Sequence, residues 1–163
     1  VDYAAELGAD AIGYTIYPGV NDEPRMFEDF MPVQERAREL DIPIAMWSYP
    51  RGQAIKEHRS RDTIAYAARI GLELGGDFVK VKYPRSQAAM AHAVDAAGAT
   101  RILLSGGSKT SDREFLELVD SCMDAGVAGL AVGRNVWQRE DPVDILDKLE
   151  RIVFEDASVD EVL

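Results

Sequence analysis

The side chains that most often announce chemistry are scarce in this sequence, which has one cysteine, two histidines and five lysines among 163 residues. A lone cysteine excludes an intrachain disulfide and fits a reducing cytoplasm. Cys122 falls in the helical pattern Phe115-Leu116…Val119…Cys122-Met123, where a small core residue is expected rather than a nucleophile. His58 stands among Lys56, Glu57, Arg59 and Arg61 in a solvated polar loop, and His92 lies in an alanine-rich helical stretch. No HxxxH, CxxC or clustered Asp/His spacing occurs, so no zinc ligand set is visible. The phosphate-cradle patterns GxGxxG and GxxxxGKS/T are missing too, and with them the dinucleotide and P-loop sites. No apolar run approaches the roughly 18 residues of a membrane span, and the opening residues carry no signal-peptide pattern.

Positive charge is the next shortage. Against 29 Asp+Glu there are 18 Lys+Arg, a formal net charge of −11, which argues against nucleic acid or an anionic membrane as partner. An acidic surface this poor in lysine suits a cytoplasm of high salt. Two of the five lysines nevertheless share one segment, Asp77-Phe-Val-Lys-Val-Lys-Tyr-Pro84. Alternation along a strand puts Lys80 and Lys82 on one face and Val79 and Val81 on the other. Taken alone, the pair would also suit an edge strand with solvated lysines. Facing a core, it is costly unless chemistry needs it. A desolvated or cation-crowded lysine has a lowered pKa and can attack a carbonyl as the free amine.

What is abundant is βα rhythm. The chain is 47% apolar, enough for one substantial core. β-Rich runs at 11–17, 43–49, 77–83, 101–105 and 129–133 alternate with helical patterns at 28–40, 63–74, 88–97, 111–125 and 143–154. Glycines stop helices at Gly8, Gly75 and Gly126, and Ser111-Asp-Arg-Glu114 reads as a capping box. Apolar strands 24 to 34 residues apart predict a parallel sheet covered by helices. Polar residues gather at strand C-terminal ends: Tyr49 and Arg51, Lys80 and Lys82, Ser105 and Lys109, Arg134 and Asn135. That distribution favours a (β/α)8 barrel mouth over the single switch point of an open sheet. Five strands do not close such a barrel, which typically needs about 250 residues. The expectation is therefore an α/β chain that carries the last five βα units of one barrel, residues 1–163, with about three units upstream. An open five-stranded sheet complete in itself is the alternative.

In Pro43-Ile-Ala-Met-Trp-Ser-Tyr-Pro-Arg-Gly52, alternation places Trp47 and Tyr49 inward if Ile44 and Met46 meet helices. Near a cationic lysine, Tyr49 could donate and accept protons, although a tyrosine at a strand end also serves packing. Arg51, just beyond, could hold an oxyanion bidentately. Ser105-Gly106-Gly107 and Gly133-Arg134 end consecutive strands in glycine turns, where many barrels bind phosphate.

Together, Met46-Trp-Ser-Tyr-Pro-Arg-Gly52, Lys80-Val-Lys-Tyr83, Ser105-Gly-Gly-Ser-Lys-Thr110 and Ala131-Val-Gly-Arg-Asn-Val-Trp-Gln138 resemble the archaeal-type class I fructose-bisphosphate aldolases, a group of Schiff-base barrel aldolases. The resemblance runs from about residue 11 to 154. It implies Lys80 as Schiff-base lysine, Tyr49 as acid/base and Trp47 as a substrate-packing residue. It also implies phosphate contacts from Ser105, Gly106, Gly107, Gly133 and Arg134; in the mechanism it implies, Lys82 keeps Lys80 deprotonated and adds positive field, and the two phosphates bind at glycine turns and arginines. The implied reaction is reversible cleavage of fructose 1,6-bisphosphate, in glycolysis and gluconeogenesis, with no metal or organic cofactor. A sugar phosphate is the implied small-molecule partner, and the protein would be a homo-oligomer in the cytoplasm. The family's aspartate on the first barrel strand has no counterpart in this sequence.

Three other readings compete. The related 2-amino-3,7-dideoxy-D-threo-hept-6-ulosonate synthase of aromatic amino-acid biosynthesis shares the lysine strand and both glycine turns. It lacks the Trp-Ser pair and has a lone lysine where this chain has two. A non-catalytic phosphometabolite-binding barrel would bind phosphate without covalent chemistry. An isomerase barrel would need an acidic base at a strand end, and these five strands show none.

Overall fold

The computed structural model describes residues 1–163 as five successive strand-helix units. Helix α1 (Asp2–Glu6) leads to β1 (Ile12–Ile16), α2 (Glu23–Glu39), β2 (Ile44–Ser48) and α3 (Arg61–Glu73). Then come β3 (Phe78–Lys82), α4 (Gln87–Ala97), β4 (Arg101–Ser105), α5 (Asp112–Asp124) and β5 (Gly129–Ala131). Short α6 (Arg134–Trp137), long α7 (Pro142–Glu155) and short α8 (Val159–Val162) close the chain. The expected punctuation is in place. Gly8, Gly75 and Gly126 take left-handed φ values of 72°, 76° and 90° after their helices. Ser111 and Glu114 form the reciprocal capping box of α5.

All strand pairs are parallel, and the sheet order β1-β2-β3-β4-β5 follows the chain. A doubly wound sheet would reverse order at a switch point. This one never does, so every crossover adds its helix to the same side. The result is an arc of barrel wall. Its helix-covered face carries Ile44, Met46, Val79, Val81, Ile102 and Leu104, all 0–2% exposed. Gly71 in α3 lets that helix press on the lysine strand, since a Cβ there would stand 2.7 Å from Val79. The opposite, concave face presents Ala45 and Trp47, Phe78, Lys80 and Lys82, then Leu103 and Ser105.

Register is pinned at the N-terminal end of the arc. Asp77 accepts the Ile44 N–H at 2.8 Å through its carboxylate, and the Thr100 hydroxyl donates to the Gly76 carbonyl at 2.8 Å. A one-residue slip would send the lysines into the apolar layer, so these bonds fix the face as well as the pairing.

The structure shifts some expected boundaries. Helix α2 begins at Glu23, not residue 28, because Pro24 suits a first turn and the Glu23 carboxylate takes the Gly19 N–H at 2.6 Å. Strand β5 stops at Ala131, and Gly133 turns away to cap α6, an element the sequence pattern did not suggest. No helix is long and apolar enough to cross a membrane. Cys122 is fully buried on α5, and burial pushes its thiol up to about 12. In the folded protein Cys122 should therefore resist a thiol reagent at pH 8 and react stoichiometrically in denaturant; rapid labelling of the native state would contradict this packing.

Candidate active site

The parallel register lines up the polar concave face in layers. Trp47 pairs with Lys80 and Lys80 with Leu103, while one layer further on Lys82 pairs with Ser105 and Ser105 with Ala131. The Lys80 Nζ stands 5.5 Å from the Trp47 ring centroid, and the Lys82 Nζ 5.8 Å from that of Tyr49. The Tyr49 hydroxyl is 3.5 Å from Ser105 Oγ. Thus β2, β3 and β4 bring together Trp47, Tyr49, Lys80, Lys82 and Ser105, as the alternation of the sequence predicts. Neither ammonium pairs with a carboxylate. Each rests on an aromatic face instead, an attraction that leaves the nitrogen free. Burial first, then the charges of Arg59 and Arg51, hold Lys82 below the ordinary lysine range.

Arg51 lies on the loop just past β2. Its N–H donates to Pro18 at 2.8 Å and its guanidinium sits 5.1 Å from the Tyr17 ring centroid. The next residue, Gly52, takes φ +93° with its backbone against that of Gly19, a close approach no side chain would permit. The glycine ending the Trp-Ser-Tyr-Pro-Arg-Gly run therefore locks the loop that carries Arg51. His58, exposed as expected, has its Nδ1 2.9 Å from the Pro50 carbonyl.

Gly106 and Gly107 follow β4, and Gly133 and Arg134 follow β5. Gly106 packs on Val132, where a Cβ would be 3.1 Å away, while a Cβ on Gly107 would meet nothing. The two turns are stapled by residues that sequence reasoning undervalued. Buried Asn135 accepts the Thr110 N–H and donates to the Ser108 carbonyl, both at 3.2 Å. Arg139, in a run read as a polar loop leading into a helix, is in fact buried. It donates to the carbonyls of Asn135 at 2.8 Å and Thr110 at 3.1 Å and pairs with Asp112. Lys109 donates to the Gln138 carbonyl at 2.7 Å. Arg134 is exposed and free of any carboxylate. No grouping of three His, Cys, Asp or Glu side chains could hold a metal ion.

Gly13 is a further residue that sequence reasoning passed over. A Cβ at Gly13 would fall inside the Trp47 indole ring, so β1 is hollowed there to seat it. An isolated glycine within the β-branched run 11–17 was the available signal. Gly13→Ala should displace the indole that flanks Lys80 and lower kcat/KM by about tenfold or more for any reaction at that amine. Unchanged kinetics, with intact tryptophan fluorescence, would contradict the packing.

Residues 1–139 match the DeoC/LacD family of aldolases. The chain is 63% identical over all 163 residues to a class 1 fructose-bisphosphate aldolase of Halobacterium salinarum and spans 62% of that relative's length. The crystal structure of an archaeal fructose 1,6-bisphosphate aldolase superposes with a TM-score of 0.92 at 44% identity, covering 95% of this chain and 62% of that one. A second archaeal aldolase structure, whose catalytic lysine is covalently bound to the carbinolamine intermediate of the substrate, superposes with a TM-score of 0.91 at 44% identity and covers 94% and 61%. With a match over most of its length and a lysine strand set in a matching arc of barrel wall, the chain belongs to the DeoC/LacD family of aldolases.

Proposed function

We propose that residues 1–163 form the C-terminal portion of a single (β/α)8 barrel that acts as a class I fructose-bisphosphate aldolase. It would cleave fructose 1,6-bisphosphate reversibly to dihydroxyacetone phosphate and glyceraldehyde 3-phosphate. The observation that carries this reading is Lys80, half-buried on the concave face, seated on Trp47 and unpaired with any carboxylate.

The chemistry follows from that amine. Unprotonated Lys80 adds to the C2 ketone, and the carbinolamine loses water to give an iminium. As the C4 hydroxyl gives up its proton to a water ordered on the Tyr49 hydroxyl, the C3–C4 electron pair moves into the iminium. Glyceraldehyde 3-phosphate leaves and an enamine remains. Tyr49, or a water ordered on its hydroxyl, returns a proton to C3. Water then hydrolyses the iminium, freeing dihydroxyacetone phosphate and Lys80. The glycine turns and Arg134 hold one phosphate, so binding energy remote from the reacting carbons positions them. Lys82 adds positive field one layer nearer the mouth. The protein would work in the cytoplasm as a homo-oligomer.

The rival synthase reading lacks the features seated here, the Trp47 indole in its Gly13 hollow and the second lysine. In the complete barrel, cleavage of fructose 1,6-bisphosphate should exceed transaldol transfer to aspartate semialdehyde; the reverse order would favour the synthase. Lys80→Arg should lower cleavage by about a thousandfold, because a guanidinium cannot form the imine.

Lys82 gives a second prediction. Its folded pKa lies below the unfolded one, so its charge lowers stability on the acid side of its titration, and that effect fades as pH rises through it. Lys82→Met should therefore raise Tm at pH 7, by about 1 °C after allowing for solvent screening. The gain should narrow toward pH ~10, while affinity for sugar phosphate falls. A lower Tm at pH 7 would contradict the sign.

A further inference from the structure

Arg139 is the only buried arginine of the chain, with 4% of its side chain exposed, and the reaction described above makes no use of it. Taking a guanidinium out of water is costly, and well-packed apolar side chains often fill such a place without loss of stability. Here the compensation is incomplete. Nε donates to the Asn135 carbonyl, and Nη1 donates to the Thr110 carbonyl and the Asp112 carboxylate. Nη2 is buried with no acceptor, and the guanidinium carbon lies 5.6 Å from the Phe115 ring centroid. What arginine supplies here beyond packing is geometry. Its rigid fork fixes three acceptors relative to one another. Thr110 and Asp112 belong to the chain after β4, and Asn135 to the chain after β5.

Asn135, itself 2% exposed, continues the link by taking the Thr110 N–H and donating to the Ser108 carbonyl. The two loops meet a second time where Gly106 packs on Val132. Between these two contacts lie the glycine turns. The N–H groups of Gly106, Gly107, Ser108 and Gly133 donate to no backbone carbonyl, and a Cβ on Gly107 would meet nothing, so this backbone is open to a ligand. Donors on two separate loops can hold one anion only while the loops keep their spacing, since each must come within about 3 Å of the same group. Consecutive glycines also lose the most conformational freedom on ordering. Clamping them beforehand removes that loss from the binding step.

We propose that Arg139 and Asn135 are positioning residues that hold the two glycine turns at one separation, so that their free N–H groups converge on a single phosphate. This rests on the aldolase reading and deepens it: part of the affinity for phosphate resides in buried side chains that never touch the ligand. Every hydrogen-bond partner of the two side chains lies in the loops or at the start of α5, and none on the lysine strand. Their effect should therefore scale with the phosphate and not with the reactivity of the Lys80 amine.

Borohydride trapping on the complete barrel tests this. Initial rates at subsaturating dihydroxyacetone phosphate and dihydroxyacetone are compared, and their ratio measures what the phosphate contributes. Arg139→Met keeps the stem, removes the fork and should cut that ratio about tenfold or more. Arg139→Lys should not restore it, because one ammonium cannot span three acceptors; full restoration would assign the effect to charge and overturn the proposal. Asn135→Ala should cut the ratio in the same direction, and it decides the matter if circular dichroism shows Arg139→Met unfolded. An unchanged ratio in a folded variant, with both rates intact or both lowered together, leaves Arg139 a stability residue only and overturns the proposal. If neither ketone traps the unsubstituted barrel, the aldolase reading falls. Calorimetric Kd for dihydroxyacetone phosphate on the same variants then decides the positioning role, weakening by about tenfold supporting it and an unchanged Kd overturning it.

Discussion

Two ammonium groups on the concave face of a sheet, without a carboxylate to balance them, set the terms for the rest of this structure. Charge in such a place is unfavourable unless something else attracts it or the proton is lost. Here aromatic rings supply part of the attraction, Trp47 under Lys80 and Tyr49 under Lys82. That solution depends on register: Trp47 meets Lys80 only because β2 and β3 are aligned by Asp77. It depends equally on space, because the indole occupies volume that Gly13 leaves empty one strand away. A carboxylate at either ring position would quench both amines. The aromatic pair leaves them available to a carbonyl and a phosphate.

The same logic explains the uneven distribution of charge. Acids dominate the outer surface, and Arg25, Arg69, Arg113 and Arg151 on the helices are tied to them in i,i+4 pairs. Lys80, Lys82, Arg51, Arg59 and Arg134, at the C-terminal ends of the strands, have no carboxylate partner; at the opposite end Arg38 and Arg101 have none either. A positive mouth in a negative molecule focuses anionic metabolites where the chemistry lies and discourages polyanions elsewhere.

Much of this was legible in the sequence, for a definite reason. A strand of alternating side chains sorts its residues onto two faces whatever the strand packs against. Lys80 and Lys82, Trp47 and Tyr49 could therefore be assigned from spacing alone, and the apolar Val79 and Val81 behind them confirm it. The alternating strand-helix rhythm led likewise to a parallel sheet, and the sequential strand order shows which kind. Features set by contacts across the sheet were not legible. An isolated glycine in run 11–17 hints at a close approach, but nothing local says that the group it seats is an indole 34 residues away. Arg139 sits in a run of Gln, Arg, Glu and Asp that reads as solvated, yet it is buried between two loops. Arg59 likewise belongs to a segment that looked like ordinary polar loop. Its neighbours in space, Lys82 and Arg85, come from the next unit of the chain.

The most direct measurement of the central claim is reductive trapping. The complete barrel is incubated with dihydroxyacetone phosphate and borohydride, digested, and its adduct located by fragment mass. The account predicts one modification, on Lys80 rather than Lys82, and none when Lys80 is replaced by arginine. An adduct on Lys82 or Lys109, or tight binding of the ketone phosphate with no adduct at all, would contradict it.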